Sequence, residues 1–135
     1  MPEKRTVQRA RRKLRQGKSP STAAGEFVRE EIEHVREGKH GARSAKQAIA
    51  IGLSKARRAG IKVKPPKRGQ ASSRTRKSAA RDYRRGQRRA RKKTSTRRAR
   101  ASLRVLKREP RGTVTKKALS RQARTAARRR RRTAQ

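Results

Sequence analysis

Apolar residues are dense enough to form a core in only one part of this chain. They occupy 17 of the 44 positions in residues 21–64, but 17 of the 71 positions in residues 65–135, where most of them are alanine. Over the whole chain the hydrophobic fraction is 28%, well below the roughly 45–50% of an ordinary globular domain. The chain therefore has material for one small folded unit, and we do not expect an enzyme.

Charge is also unevenly distributed along the sequence. Residues 21–37 carry five acidic and two basic side chains, whereas residues 65–135 carry 29 basic and two acidic ones. In total, 47 lysines and arginines stand against eight acidic residues, which gives a formal net charge of +39. Because self-repulsion opposes the compaction of such a chain, we expect it to need a polyanionic partner.

The first predicted helix lies in the acidic stretch. It begins at a cap formed by Ser21 or Thr22 and ends at Gly38. Apolar residues at helical spacing form one face, which consists of Ala24, Phe27, Val28, Ile32 and Val35. The opposite face carries Glu26, Glu30, Glu33 and Glu37. We interpret it as a solvated face that can dock a basic arm or a second copy of the chain.

A second predicted helix begins at a Ser-x-x-Gln capping box formed by Ser44 and Gln47. Its apolar face runs at helical spacing as far as Ala56, and Gly60 ends it. The two helices are expected to form a hairpin. Because a hairpin of about forty residues is marginal alone, we expect either a homodimer through it or the packing of a later helix against it.

Three weaker helix patterns follow in the C-terminal region. They begin near Ser73, around Ala99 and at Thr115, and the first two end at Gly86 and Pro110. Their residues are good helix formers, but like charges repel along each segment. We expect these segments to be largely disordered in free solution and to become helical when phosphates neutralise them.

The sequence as a whole predicts a mainly α protein, with a short helical hairpin flanked by basic, partly disordered arms that have helical potential. The composition divides the chain into a basic N-terminal arm at 1–20, the hairpin at 21–60, a Pro/Gly linker at 61–73 and a basic Arg/Ala-rich region at 74–135.

Phosphate neutralisation is the chemistry that this composition favours. A protein with about ten phosphate contacts loses roughly 10³–10⁵ in affinity between 50 and 200 mM salt, because it releases bound counterions. Phe27 and Tyr83 are the only aromatic side chains, so base stacking of the kind that single-strand binders use is nearly absent. Duplex DNA is therefore the expected partner, and structured RNA, as on a ribosome, is the alternative.

The loop at residues 38–44 is the best local candidate for a phosphate contact. It is cationic and leads into a helix N-terminus, where backbone N–H groups favour anions; a plain turn between helices is the alternative. A helix-turn-helix with the second helix as groove reader is a weaker interpretation. The full set of predicted nucleic-acid contacts is Arg11, Arg12, Lys13, Lys39, Arg43, Ser44, Lys46, Arg57, Arg58, Lys67, Arg68, Arg88, Arg89, Arg91, Lys92, Lys93, Arg128, Arg129, Arg130, Arg131 and Arg132.

Residues for other chemistry are sparse. The chain contains no cysteine, which excludes disulfides and thiolate metal sites. His34 and His40 have no neighbouring cysteine or aspartate, so we expect no metal site. We also expect no catalytic residues, cofactor or small-molecule substrate.

A membrane partner is not expected either. The longest apolar run, at residues 48–51, is far short of the roughly 20 residues that span a bilayer. The first residues lack the apolar stretch of a secretory signal. A cationic membrane-active protein is a disfavoured third interpretation because arginines interrupt the apolar faces. We expect the protein in the cytoplasm, at the nucleoid.

Three segments of the chain carry a family resemblance. They are residues 24–31, residues 38–44 (Gly-Lys-His-Gly-Ala-Arg-Ser) and residues 46–60, which begin Lys-Gln-Ala-Ile-Ala-Ile. Over residues 20–66 the chain resembles a group of small basic bacterial proteins described as DNA-binding or histone-like. The resemblance implies a bacterial source and a nucleoid role, without catalytic residues. The basic flanking segments are similar to linker-histone tails in composition.

Together these observations predict a non-enzymatic DNA-binding protein of low sequence specificity. Its Arg/Lys-rich arms are expected to neutralise duplex DNA and to bridge or condense it.

Overall fold

The computed structural model of the chain describes residues 3–88 and 95–134. These residues form six helices and no β-strand, so the mainly α class is confirmed. No helix in this part of the chain combines the length and apolarity needed to cross a bilayer. The helices are α1 (Lys4–Arg15), α2 (Pro20–Arg36), α3 (Ala45–Arg58), α4 (Ser73–Gln87), α5 (Thr96–Arg108) and α6 (Lys116–Ala134).

Helix α2 begins slightly earlier than its sequence pattern predicts. Its cap is Ser19, whose hydroxyl accepts a hydrogen bond from the backbone N of Thr22 at 3.2 Å. Pro20 occupies the first helical position, where its fixed φ suits the helix and its missing N–H costs nothing. The predicted cap at Ser21 or Thr22 is therefore wrong.

The limits of α3 follow the prediction closely. The hydroxyl of Ser44 accepts from the backbone N of Gln47 at 3.1 Å. The side chain of Gln47 reaches back to the backbone N of Arg43 instead of to that of Ser44, so the capping box extends one residue further than expected. Gly38 and Gly60, the predicted stops of α2 and α3, have φ angles of 77° and 96°, which glycine adopts without strain.

The C-terminal helices also lie close to their predicted positions. Ser72, one residue before the predicted Ser73, caps α4 by accepting from Thr75 N at 3.2 Å. Thr115 accepts from Ala118 N at 3.1 Å and begins α6 as predicted. Local capping signals therefore located these helices despite their weak apolar patterns.

The N-terminal segment forms a packed helix instead of a basic arm. Thr6 and Ala10 on α1 are fully buried, and Val7 packs against the same core. That core brings together residues of α1, α2, α3 and the loop after α3: Ala10, Ala23, Ala24, Phe27, Ala56 and Ile61. Helix α1 therefore belongs to the folded unit.

Helix α1 covers the acidic face of α2. Glu26 is 4% exposed and forms ion pairs with Lys13 Nζ at 2.7 Å and Arg9 Nε at 3.1 Å. The backbone N of Glu3 donates to Glu30 Oε1 at 2.7 Å. The interpretation of this face as solvated is wrong for Glu26 and Glu30, because the N-terminal segment covers both residues. The basic segment that docks on the face belongs to the same chain.

Close contacts between helices depend on two glycines. A Cβ atom at Gly52 on α3 would lie 2.6 Å from the Cα of Val28 on α2. A Cβ atom at Gly86 on α4 would lie 1.7 Å from the carbonyl O of Arg57 on α3. Both positions therefore require hydrogen in place of a side chain, because the neighbouring atoms belong to the backbone.

The segment between α5 and α6 forms part of a second core cluster. Val114 is 1% exposed and packs with Val35, Ala42 and Ala48. The side chain of Arg36 donates to the carbonyl O of Val114 at 3.3 Å. Residues 74–135 therefore contribute to the folded unit, because α4 packs against α3 and Val114 is part of the second core cluster.

We predict opposite effects of alanine at two helical glycines. Gly52→Ala should lower the free energy of unfolding by about 1–3 kcal/mol, because its methyl group overpacks the α2–α3 contact. Gly25→Ala should raise the free energy of unfolding by about 0.5–1 kcal/mol, since Gly25 lies in α2 with no atom within 4 Å of an added Cβ. Urea unfolding followed by circular dichroism measures both free energies. Equal changes in the two variants would contradict the close contact between Gly52 and Val28.

We predict that Glu26 makes stability depend on pH. A hydrogen bond from Lys13 lowers the pKa of Glu26, burial opposes that shift, and the charges of Lys13 and Arg9 reinforce it. A carboxyl group whose pKa is depressed by folding stabilises the protein above its ordinary pKa, and this contribution is lost as the pH falls through the depressed value. Glu26→Gln should cost about 1.5–3 kcal/mol near neutral pH and flatten the acid limb of the stability curve.

The matched control for this substitution is Glu33→Gln. Glu33 forms an exposed pair with Arg29 four residues away, which contributes only about 0.3–0.5 kcal/mol. Urea unfolding at neutral and acid pH compares the two variants. Equal losses would show that the α1–α2 ion pairs contribute nothing beyond a surface pair.

Candidate nucleic-acid interface

Most acidic side chains of the protein are engaged within the molecule. In addition to Glu26 and Glu30, the carboxylate of Glu31 pairs with Lys55, and Asp82 accepts from the Ser54 hydroxyl at 2.6 Å. Glu33 and Glu37 pair with nearby cations of the same chain. These contacts leave an outer surface dominated by positive charge.

A row of basic residues follows the outer face of α4. Residues spaced three and four apart along a helix share one face, and the exposed members of this row are Arg74, Lys77, Arg81 and Arg84. At 1.5 Å per residue this α4 line extends about 15 Å. The other face of the helix, with the buried residues Ala79 and Gly86, packs against α3. The fold therefore holds these four cations in a fixed array.

The α4 line is not among the contacts predicted from sequence, because its basic residues do not form a consecutive run. The available signal was the helical period of the basic residues themselves, which alternate with the residues that become half-buried or buried. Periodic charge on a helix that has a packed inner face is more informative than charge density alone.

A second row lies on α6. The α6 line consists of the exposed residues Lys117, Arg121, Arg124 and Arg128. Half-buried residues of the opposite side include Leu119 and Ala126. All five predicted arginines at 128–132 are exposed, but a helix distributes consecutive residues around its axis, so they do not share one face.

Two predicted contacts from distant parts of the chain meet at one cleft. Lys46 on α3 and Arg129 on α6 line a depression of about 330 Å³. The rest of the lining consists of residues 69–72, which lead into α4, and of Thr75 in the first turn of that helix. Cations beside hydroxyl groups and a helix N-terminus are a favourable arrangement for a phosphate oxygen.

The remaining predicted contacts differ in their surroundings. Lys13 is half-buried in its pair with Glu26, and Lys39 lies 3.5 Å from Glu37. Arg58 is half-buried, with its Nε donating to the carbonyl O of Ser54 at 3.4 Å. Besides Lys39, which is exposed, the exposed predicted residues outside α6 are Arg11, Arg12, Arg43, Lys46, Lys67, Arg68 and Arg88. Arg89, Arg91, Lys92 and Lys93 lie outside the described residues.

The loop at residues 38–44 does not present its backbone to a ligand. Gly41 N donates to the carbonyl O of Leu106 at 2.9 Å, and Ala42 N donates to that of Pro110 at 2.7 Å. The hydroxyl of Ser44 is the cap of α3. The expected phosphate contact through the backbone of this loop is corrected, because the N–H groups of Gly41 and Ala42 already bind the end of α5 and the segment that follows.

Arg57 is a second correction. It is 7% exposed, and its guanidinium donates to the carbonyl groups of Val63 at 3.1 Å and Lys64 at 3.2 Å. Burial lowers the pKa of Arg57, with Asp82 opposing the shift. This side chain supports the loop after α3 and is too buried to act as a surface phosphate contact.

The helix-turn-helix interpretation is also corrected, because α3 is not free to act as a recognition helix. Helix α3 packs against both α2 and α4. Within α3 only Lys46 and Ala50 are exposed, so the helix has no free face that could enter a groove.

Comparison with known proteins adds one similarity. The chain matches no curated protein and no solved structure. Residues 3–68 match the model of a family of unknown function, DUF6496. This stretch contains α1, α2, α3 and the loop that follows them, whereas α4, α5 and α6 lie after it.

Proposed function

We propose that this protein binds nucleic acid without sequence specificity, through the phosphate backbone, and that its partner is duplex DNA. The observation that carries the proposal is the separation of charge in the fold. Carboxylates are held in internal pairs, while the α4 line and the α6 line are exposed. Such fixed rows of cations bind phosphates by releasing counterions.

The positions of the aromatic rings support a double-stranded partner. Phe27 is fully buried and Tyr83 is half-buried on α4. Neither ring is placed as an open platform for stacked bases. The wide major groove of B-DNA also admits an α-helix, whereas the narrow major groove of A-form RNA does not.

Several basic rows on separate helices suit a role in bridging or condensing DNA. A molecule that holds cations on both α4 and α6 can contact more than one stretch of phosphates. The proposed role is therefore that of a non-enzymatic, histone-like component of the nucleoid, whose affinity for DNA depends strongly on salt.

The salt dependence of binding tests the α4 line. Lys77→Gln combined with Arg81→Gln should reduce the slope of log affinity against log salt by about 1.8, because each lost phosphate contact on B-DNA removes about 0.9. Fluorescence anisotropy with a labelled duplex of mixed sequence, measured across a series of sodium chloride concentrations, gives this slope.

The matched control removes one lysine and one arginine elsewhere. Arg29→Gln combined with Lys39→Gln deletes cations that pair with Glu33 and Glu37. Although Lys39 is a contact predicted from sequence, Glu37 and Glu3 lie within 4 Å of its ammonium group, so this variant should leave the slope nearly unchanged. If both double variants lowered the slope equally, net charge and not the α4 line would control binding.

A competition experiment tests the choice of partner. Duplex DNA should displace the labelled duplex at a lower concentration than a duplex RNA of the same length and sequence at the same salt. Displacement by RNA at equal or lower concentration would replace the DNA proposal with the alternative, an RNA-binding or ribosome-associated protein.

A further inference from the structure

Both histidines of the chain lie beside one buried carboxylate. Glu31, on α2, is fully buried. Its Oε2 atom lies 3.3 Å from His40 Nε2, and its Oε1 atom lies 4.0 Å from His34 Nδ1. From these contacts we infer that Glu31, His34 and His40 form a binding site for a divalent transition-metal ion of the Zn²⁺ type, contrary to the expectation from sequence.

The spacing of the three side chains suits such an ion. One ligand atom from each residue can be chosen so that all three lie within 4.8 Å of one another. Tetrahedral Zn²⁺, with bonds of about 2.0–2.1 Å, places its ligand atoms about 3.3 Å apart. The contact between Glu31 and His40 already has this length, and a small adjustment of His34 completes the set.

The outer hydrogen bonds of the histidines orient their free nitrogens toward Glu31. His40 Nδ1 lies 2.8 Å from the carbonyl O of Gly41. Since a carbonyl oxygen only accepts, Nδ1 is the donor in this contact, which leaves Nε2 as the nitrogen available to a metal ion. His34 Nε2 lies 3.5 Å from Glu3 Oε1, which likewise favours a lone pair on Nδ1. Metal-binding histidines are typically held by this kind of contact to a carbonyl or carboxylate oxygen.

An unsatisfied oxygen marks the same position. Lys55 Nζ binds Glu31 Oε1, whereas Oε2 is buried and has no hydrogen-bond partner in the described structure. His40 Nε2 lies 3.3 Å away but forms no hydrogen bond with Oε2. A buried carboxylate oxygen without a partner is costly. A cation between Glu31 Oε2 and the two imidazoles would satisfy it.

The donor set and its surroundings indicate the class of ion. Two imidazoles and one carboxylate suit Zn²⁺ and other late transition metals, whereas Mg²⁺ and Ca²⁺ prefer oxygen ligands alone. His34 also lines a cleft of about 250 Å³ beside Glu3 and Glu30, so solvent can supply a remaining ligand. Because the ligands lie on α2 and on the loop before α3, the ion would tie these two segments together.

Zinc titration of the full chain, freed of nucleic acid at high salt, tests this site. The chain has two histidines, so their imidazole proton NMR signals report on the site without any substitution. Near pH 7.5 both signals should shift and saturate at one equivalent of Zn²⁺. Saturation without a shift of both signals, or no shift at all, would overturn the proposal.

Variants identify the ligands. His34→Gln and His40→Gln should each weaken Zn²⁺ affinity, measured by isothermal titration calorimetry, by at least about tenfold, the lower limit seen even for residues that only support a ligand. Glu33→Gln, a neighbouring carboxylate outside the set, is the matched control and should bind as the wild type does. Circular dichroism establishes that each variant is folded.

Two outcomes of the calorimetry would overturn the assignment. Glu3, Glu30 and His34 form a neighbouring set of potential ligands, so unchanged binding by His40→Gln would assign the ion to that set. Equal affinity of the wild type and a variant lacking both histidines would show that no histidine site exists. In that case the cluster would be the buried ion pair of Glu31 with Lys55, with the two histidines beside it.

Discussion

The folded part of this protein depends on the neutralisation of its carboxylates by cations from other helices. Glu26 joins α2 to α1 through Lys13 and Arg9, and Glu31 joins α2 to α3 through Lys55. In a chain with a net charge of +39, these pairs offset part of the repulsion between neighbouring helices. Their partial burial strengthens them relative to surface pairs, provided that each charge keeps its partner.

The same pairing determines what the surface presents. Glu26, Glu30 and Glu31 are buried, and the outer faces of α4 and α6 carry basic residues at helical spacing. Cations fixed on a packed helix lose less conformational freedom on binding than those on a disordered arm. The α4 line is therefore better prepared for phosphate binding than a run of consecutive arginines would be.

Glu31 connects the core to the proposed metal site. One of its oxygens binds Lys55, and the other faces His40. An ion at this position would act on the contact between α2, the loop at residues 38–44 and α3, and none of its ligands belongs to the α4 line or the α6 line. The metal proposal and the nucleic-acid proposal therefore rest on different residues, and the failure of one would leave the other standing.

Local signals in the sequence determined where most helices lie. Ser44, Gly38, Gly60 and Thr115 act within a few residues of their own positions, so capping and periodicity were enough to locate the ends of helices. Only the tertiary structure decided that α1 packs as part of the core, that Arg57 is buried and that both histidines face Glu31. These features depend on contacts between residues far apart in sequence, such as Lys13 with Glu26 and Lys55 with Glu31. Helical periodicity reveals which residues share a face, but it does not reveal which other face will cover them.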